Sequence, residues 1–300
     1  MLRLAAYALN GLLPATLVVL GYAGLSLVLP IIGLFSSATV ALIALRRGLG
    51  SSLQVLLAAG ATLAVLGFAI TGSGVVALTY GALLWLPCWL LALTLRETGA
   101  LRAALEGGAL LAMIVVLGVY ATVDDPAAMW VERLQSFFAQ LSDRMPEDEV
   151  GRAQQISGWI APYLTGMIAG GSTGSVLLSL FLARWWQACL FNPGGFGDEF
   201  THLRYHRVTH YAAVALAVIG LAAGGLTAEL AWNLLLVLSV LFIVLGLAIV
   251  HRMLAAKSNR RFWLAGLYIL AMFVPQTLLP VALLGVSDIW IDWRNRRLPG

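Results

Sequence analysis

From Leu4 to Leu45 the chain carries no charged side chain. A bilayer accommodates an apolar run of this length, at about 20 residues for each helical crossing. Two spans are therefore expected here, with Gly21, Gly24 and Pro30 as places to turn. The run also exceeds the apolar core of a cleaved signal, about 7–15 residues, so it reads as an uncleaved first span. Hydrophobic residues make up 61% of the 300 and charged residues 11%, against about 25% charged in soluble domains. Lipid is the main solvent.

Further apolar runs follow at Leu53–Thr71, Val75–Leu95, 103–123, 157–190, Tyr211–Gly224, Leu230–Val250 and Phe262–Leu284. The expected fold is all-α: a polytopic helical membrane bundle of about 8–9 transmembrane helices, with residues 1–300 forming one integral membrane domain. The last run contains Pro275 and Pro280. A simple ninth span is expected there, although nine spans starting inside would leave Arg294, Arg296 and Arg297 on the side that disfavours them. The competing reading is a broken or re-entrant hairpin.

Charge is segregated. Residues 124–152 hold seven acids and three arginines, whereas the remainder has 15 basic and 7 acidic residues. Short basic loops face the cytoplasm, so the N-terminus and the 191–208 loop are placed inside and the acidic 124–156 loop outside. The expected location is a bacterial inner membrane, crossed many times. Basic residues spread over short loops do not make a nucleic-acid footprint. Within the acidic loop, Trp130, Leu134, Phe137, Phe138 and Leu141 recur at helical spacing and predict an external amphipathic helix. Pro146 followed by Glu147, Asp148 and Glu149 then marks a fresh helix start.

Apart from Glu106, near the start of the 103–123 run, the apolar runs contain no Asp, Glu or Lys, which argues against proton antiport and carboxylate-based proteolysis. Arg184 is the charge set furthest into an apolar stretch. It either holds an anionic ligand or snorkels to the boundary marked by Trp185 and Trp186. Tyr80, Trp85 and Trp89 form an aromatic stripe that serves packing or a ligand pocket. Gly166, Gly170 and Gly174, and then Gly220 and Gly224, recur every fourth residue and predict close helix packing. Cys88 and Cys189 sit in apolar runs and propose no disulfide framework.

The polar hub is Phe191–His210, FNPGGFGDEFTHLRYHRVTH. Asp198 is a natural N-cap after the Pro-Gly-Gly turn, and His202, His206 and His210 would share one face of the helix that follows. The outer two histidines of such a face stand about 12 Å apart, too far for one ion. No metal, cofactor or catalytic residue is expected, and the chain is read as non-enzymatic.

FNPGGFGDEFTHLR and the terminal GVSDIWIDWRNRR resemble the YybS-like bacterial membrane proteins (the DUF2232 family), which are in turn similar to the S components of energy-coupling-factor transporters. The resemblance implies a helical unit that binds a small molecule or lipid within the bundle and contacts a membrane-protein partner subunit. Asn192, Pro193, Gly194, Phe196, Glu199, Leu203, Arg204, Asp288, Trp290, Asp292 and Arg294 are the matching positions. With Asp198, the polar ones among them are candidate partner contacts, as are Pro193, Gly194 and Phe196. Residues 286–300 are expected to form a polar tail. The alternative function is a structural or assembly scaffold of a membrane complex, docking through its cytoplasmic loops.

Overall fold

The computed structural model describes residues 1–141, 147–255 and 257–295, and leaves out a few side chains inside helices, that of Tyr80 among them. Pro146, Arg296 and Arg297 lie outside the described residues, as do the side chains of Glu147, Asp148 and Glu149. Among the described residues the secondary structure is helical, with no strand. In chain order the helices are α1 (Leu2–Ala8), α2 (Leu12–Ser26), α3 (Gly33–Thr71), α4 (Val75–Thr98), α5 (Leu101–Thr122) and α6 (Pro126–Leu141). Then come α7 (Glu147–Phe191), α8 (Gly195–Thr201), α9 (Arg207–Ala222), α10 (Gly225–Leu254), α11 (Arg260–Phe273) and α12 (Leu278–Ile291). The chain divides into two compact units: Met1–Gly108 with Gly174–Arg204, and Ala109–Thr173 with Tyr205–Gly300.

In the first unit the 39 residues of α3 are two helices in one. Gly48 breaks the run at φ 78°, ψ −168°, a conformation only glycine adopts without strain. Ser36 and Leu45, before the break, bond to Trp85 and Arg96 of α4 in the same chain order, and Ser52, beyond it, returns to Trp89. The two arms therefore run in opposite directions beside α4. A Cβ on Gly48 would also sit 3.2 Å from Arg96 Nε, a tight contact with the end of the arginine side chain. Leu42, Ile43, Trp85, Leu180 and Trp186 fill the core of this unit.

The second unit is built around α10, whose Val237, Leu241, Phe242, Leu245 and Ile249 are buried. A Cβ on Gly166 of α7 would overlap the Asn233 backbone. The bare glycine lets the Asn233 amide reach into α7, accepting from the Gly166 N–H and donating to the Pro162 carbonyl. The same amide donates to the Tyr120 hydroxyl, which itself donates to Glu229 at 2.6 Å. A fully buried asparagine is thus satisfied from two neighbouring helices, α5 and α7. On α10's other side Gly246 faces the Val281 carbonyl and Gly285 faces the Phe242 carbonyl, so α12 runs antiparallel to α10.

Four helical stretches among the described residues are long and apolar enough to cross a membrane: Pro30–Ile70, Leu101–Thr122, Gln154–Phe191 and Gly225–Leu254. The first of these contains the reversal at Gly48. Leu12–Ser26 and Arg207–Ala222, with 15 and 16 residues, measure only about 22–24 Å at 1.5 Å per residue, short of the about 30 Å hydrocarbon core. Length alone therefore does not reach the expected count of 8–9.

The simple ninth span does not form. Helix α11 ends at Phe273, Val274 leaves helical geometry at φ −129°, ψ 79°, and a 3-10 turn covers Pro275–Thr277. Pro275 has no N–H and pushes the residue before it out of the helical region, which accounts for the stop. The chain leaves α10 at Leu254 and comes back to it at Val281, opposite Gly246, so α11 begins and ends near the same end of α10. No residue of α11 is buried.

Candidate functional site

The hub folds back along the helix that precedes it. Helix α7 ends at Phe191, and the Gly195 N–H bonds to the Asn192 carbonyl to close a turn. Gly194, at φ 91°, then starts α8. The expected Asp198 cap is not used: Gly194 holds the cap position, and Asp198 lies within the first turn, where its charge complements the helix dipole. Phe196 and Phe200 of α8 stack against Phe181 of α7, each at 5.8 Å between ring centroids. Such pairs contribute about 0.5–1.5 kcal/mol each beyond simple burial. They hold α8 where Glu199 meets Arg184, with Nε 2.8 Å from Oε2.

The continuous helix expected through the three histidines is absent. Helix α8 stops at Thr201 and the chain is non-helical to His206. Over this stretch Leu203 and Tyr205 are buried while His202, Arg204 and His206 are exposed, a period of two in place of a helical face. His202 bonds back to the Asp198 carbonyl, and His206 occupies the cap position of α9. His210 is buried against Phe242, with its Nδ1 3.0 Å from the Val286 carbonyl.

Around Arg184 the first unit forms an open cleft of about 360 Å³ lined by Leu45, Arg46, Leu95, Arg96, Gly99, Arg184, Gln187, Phe191, Asn192 and Glu199. Three guanidinium groups face one carboxylate. Each is held differently. Arg184 also donates to Gln187 at 3.3 Å. Arg46 lies over the Phe191 ring with its Cζ 3.7 Å from the centroid, a cation–π contact. Arg96 donates from Nη1 to the Leu45 carbonyl at 2.7 Å, and its Nε is 3.8 Å from the largely exposed Glu97. Burial raises the Glu199 carboxyl above the usual glutamate range, and the adjacent Arg184 offsets only part of that rise. The lining retains a surplus of positive charge with unused donor capacity, since each guanidinium offers five N–H groups. Phosphate and carboxylate groups match that geometry.

The sequence candidates divide accordingly. Arg184, Asn192 and Glu199 converge on the cavity, and Phe196 positions them. Arg46, Arg96 and Gln187 were not singled out, although each arginine closes an apolar run and so marks a common basic end. Trp85 and Trp89 are buried and donate to Ser36 and Ser52, which makes them internal braces between α3 and α4. Pro193 and Arg204 are exposed. In the second unit Gly166 and Gly170 lie against α10, and Gly220 makes room for the Trp232 ring. Gly174 is half-buried, whereas Gly224 stands exposed in the turn before α10.

The carboxy-terminal candidates are also in the second unit, and helix α12 extends to Ile291, well into the expected polar tail. Asp288 and Arg294 form an ion pair at 3.2 Å with side chains only 6% and 5% exposed, so neither is offered to a partner. Asp288, expected in the polar tail, is instead buried among the apolar helices. It is three residues past Gly285, which rests on the buried Phe242 of α10. The pairing explains how the helices tolerate it: the return of the chain at Asp292, in left-handed geometry at φ 47°, brings Arg294 back onto the helix. Asn295 secures that return by donating to the Asp292 carboxylate at 2.6 Å.

Among the described residues no cluster of three or more His, Cys, Asp or Glu has the arrangement of a metal site. Compared with family models, curated proteins and solved structures, the chain matches none.

Proposed function

We propose that this chain is a non-enzymatic integral membrane protein that binds an anionic group, phosphate or carboxylate, in the cleft of Arg46, Arg96 and Arg184. The observation that carries this reading is the convergence of three arginines, from three separate helices, on one polar cavity with a single carboxylate. A structural ion pair needs one partner for each charge; this cleft has a surplus. By the charge rule the basic end of the first unit faces the cytoplasm of a bacterial inner membrane, with the acidic 124–156 segment outside. The two arms of α3 then count as separate crossings, and with the shorter apolar helices the bundle approaches the eight or nine spans expected from hydropathy. A small-molecule or lipid-binding unit of S-component type is consistent with this arrangement, and the exposed Pro193–Gly194 turn beside the cleft is the natural contact for a partner subunit.

The test is saturable binding of inorganic phosphate and of glycerol 3-phosphate to the full chain in a zwitterionic detergent, read by calorimetry at matched chloride. Binding should weaken about 10-fold or more in Arg184→Gln and in Arg96→Gln, as expected when a charge-assisted hydrogen bond is lost. Absence of saturable binding by either probe to the unaltered protein overturns the reading.

A further inference from the structure

Nine or more residues up α4 from the cleft, the same unit has a second cavity of about 340 Å³, lined by Leu56, Leu57, Gly60, Ala61, Leu78, Gly81, Ala82, Trp85 and Leu86. Every lining side chain is apolar except for the Trp85 indole N–H, and that is donated to Ser36. The groove exists because small residues meet where the second arm of α3 crosses α4. A Cβ on Gly60 would have nothing within 4 Å, which is open space, while Gly81 leaves room for the Trp85 ring.

The two cavities share α4 as a common wall. Between them Trp85 and Trp89 are buried against α3, whereas Leu86 and Leu90, one turn apart on α4, are exposed and offer an apolar path along the helix. From Leu95 at the cleft, Leu86 and Leu78 lie about 14 and 26 Å along the helix axis. Half of a bilayer, headgroups included, is about 20–22 Å thick. A molecule with its charged group in the cleft and a hydrocarbon chain following α4 would therefore place the distal part of that chain in the groove.

We infer that the ligand of the cleft is an anionic glycerophospholipid, with its phosphate on Arg46, Arg96 and Arg184 and the distal half of an acyl chain in the groove at Gly60 and Ala61. This rests on the anion-binding reading of the cleft and adds the source of the anion. A zwitterionic headgroup brings its own cation into a cavity that already holds a surplus of positive charge, so an anionic headgroup is favoured. A free phosphate would use the cleft and leave the groove untouched. The bilayer supplies the lipid by lateral diffusion, without a passage through water.

The experiment uses the full chain in nanodiscs of dioleoyl phosphatidylcholine, with three probes: dipalmitoyl phosphatidylglycerol, dihexanoyl phosphatidylglycerol and glycerol 3-phosphate. Retention is read by native mass spectrometry after release from the nanodisc. The long-chain lipid should be retained about 10-fold or more over the short-chain one, beyond what the two show on an unrelated membrane protein. Gly60→Leu, which fills open space, should bring long-chain retention down to the short-chain level and leave glycerol 3-phosphate binding unchanged. Ala61→Leu is the second variant, so that misfolding of either one does not decide the result. Arg184→Gln should weaken all three probes. If both groove variants leave the ratio of long to short chain unchanged, the groove assignment is wrong while the cleft stands. If glycerol 3-phosphate matches the long-chain lipid, the ligand is a soluble phosphate compound. If no probe binds, the cleft reading fails and the lipid assignment with it.

Discussion

Arg184–Glu199 and Arg294–Asp288 are the same pair of chemical groups in two different settings. The first is 2.8 Å long with about a fifth of each side chain exposed, and two more arginines share its cavity. The second is 3.2 Å long and almost sealed, with one cation for one anion. Removing two charges from water is expensive, and a buried pair recovers that penalty only through its partner. The Asp288–Arg294 pair is therefore a fixed part of the packing of α12. Arg184–Glu199 has solvent access, surplus cations and an ionisable acid whose protonation changes the charge of the site. Balance makes a lock; imbalance makes a receptor.

The largest effect should come from breaking the lock. Arg294→Met leaves the Asp288 carboxylate buried without its cation, and its Oδ1 already lacks a hydrogen-bond partner. A loss of about 3–5 kcal/mol is expected, visible as a fall in the thermal unfolding midpoint in detergent. The double variant Asp288→Leu with Arg294→Met should recover most of that loss, because apolar replacement of a whole buried pair is close to neutral. Arg184→Gln should lower stability by only about 1–2 kcal/mol while removing much of the anion binding. If Arg184→Gln proves as destabilising as Arg294→Met, the two pairs are alike and the contrast is wrong.

Glu199 sharpens the comparison through pH. Its folded-state value lies above the ordinary 4.5 because burial penalises the charged carboxylate more than Arg184 favours it. A raised acid gives its contribution to stability below the ordinary value and loses it as pH rises through the folded value. As pH falls through that window Glu199 becomes neutral and Arg184 is released, so the cleft, with less negative charge facing its arginines, should bind phosphate more tightly. Glu199→Gln should bind tighter at neutral pH and show a flatter pH dependence, since the one titrating carboxylate of the cleft is gone. Tightening without flattening would show that the charge acts but Glu199 does not titrate.

Helix positions were legible in the sequence where a run ended in glycine or charge. The amphipathic helix expected through Trp130 and Leu141 and the helix start expected at Glu147 coincide with α6 and the beginning of α7. The failures share one physical cause. Continuity of hydropathy does not report a backbone break, so Phe262–Leu284 reads as one span although Pro275 divides it. Polarity does not report burial either, so Asp288 reads as tail until Arg294 is seen folding back to it. The cleft was half legible: Arg184, Asn192 and Glu199 stand out along the chain. Arg46 and Arg96 join them only through the reversal at Gly48 and the pairing of the first α3 arm with α4, contacts that no local pattern encodes.

The smallest expected effect tests how Arg46 is held. Its guanidinium has Phe191 beneath it and the cavity beside it. Stacking on a ring leaves the edge N–H groups of an arginine pointing outward, where they can grip an anion. Phe191→Leu keeps an apolar neighbour and removes the ring face, so the charge stays while its orientation loosens. A partly exposed cation–π contact contributes about 0.5–1 kcal/mol, which corresponds to roughly 2- to 5-fold weaker phosphate binding with little change in the unfolding midpoint. Arg46→Lys should give a similar or larger loss, since lysine keeps the charge without the planar fork. An Arg46→Lys variant that binds as tightly as the unaltered protein would show that Arg46 supplies only field to the cleft, leaving Arg96 and Arg184 as the groups that touch the ligand.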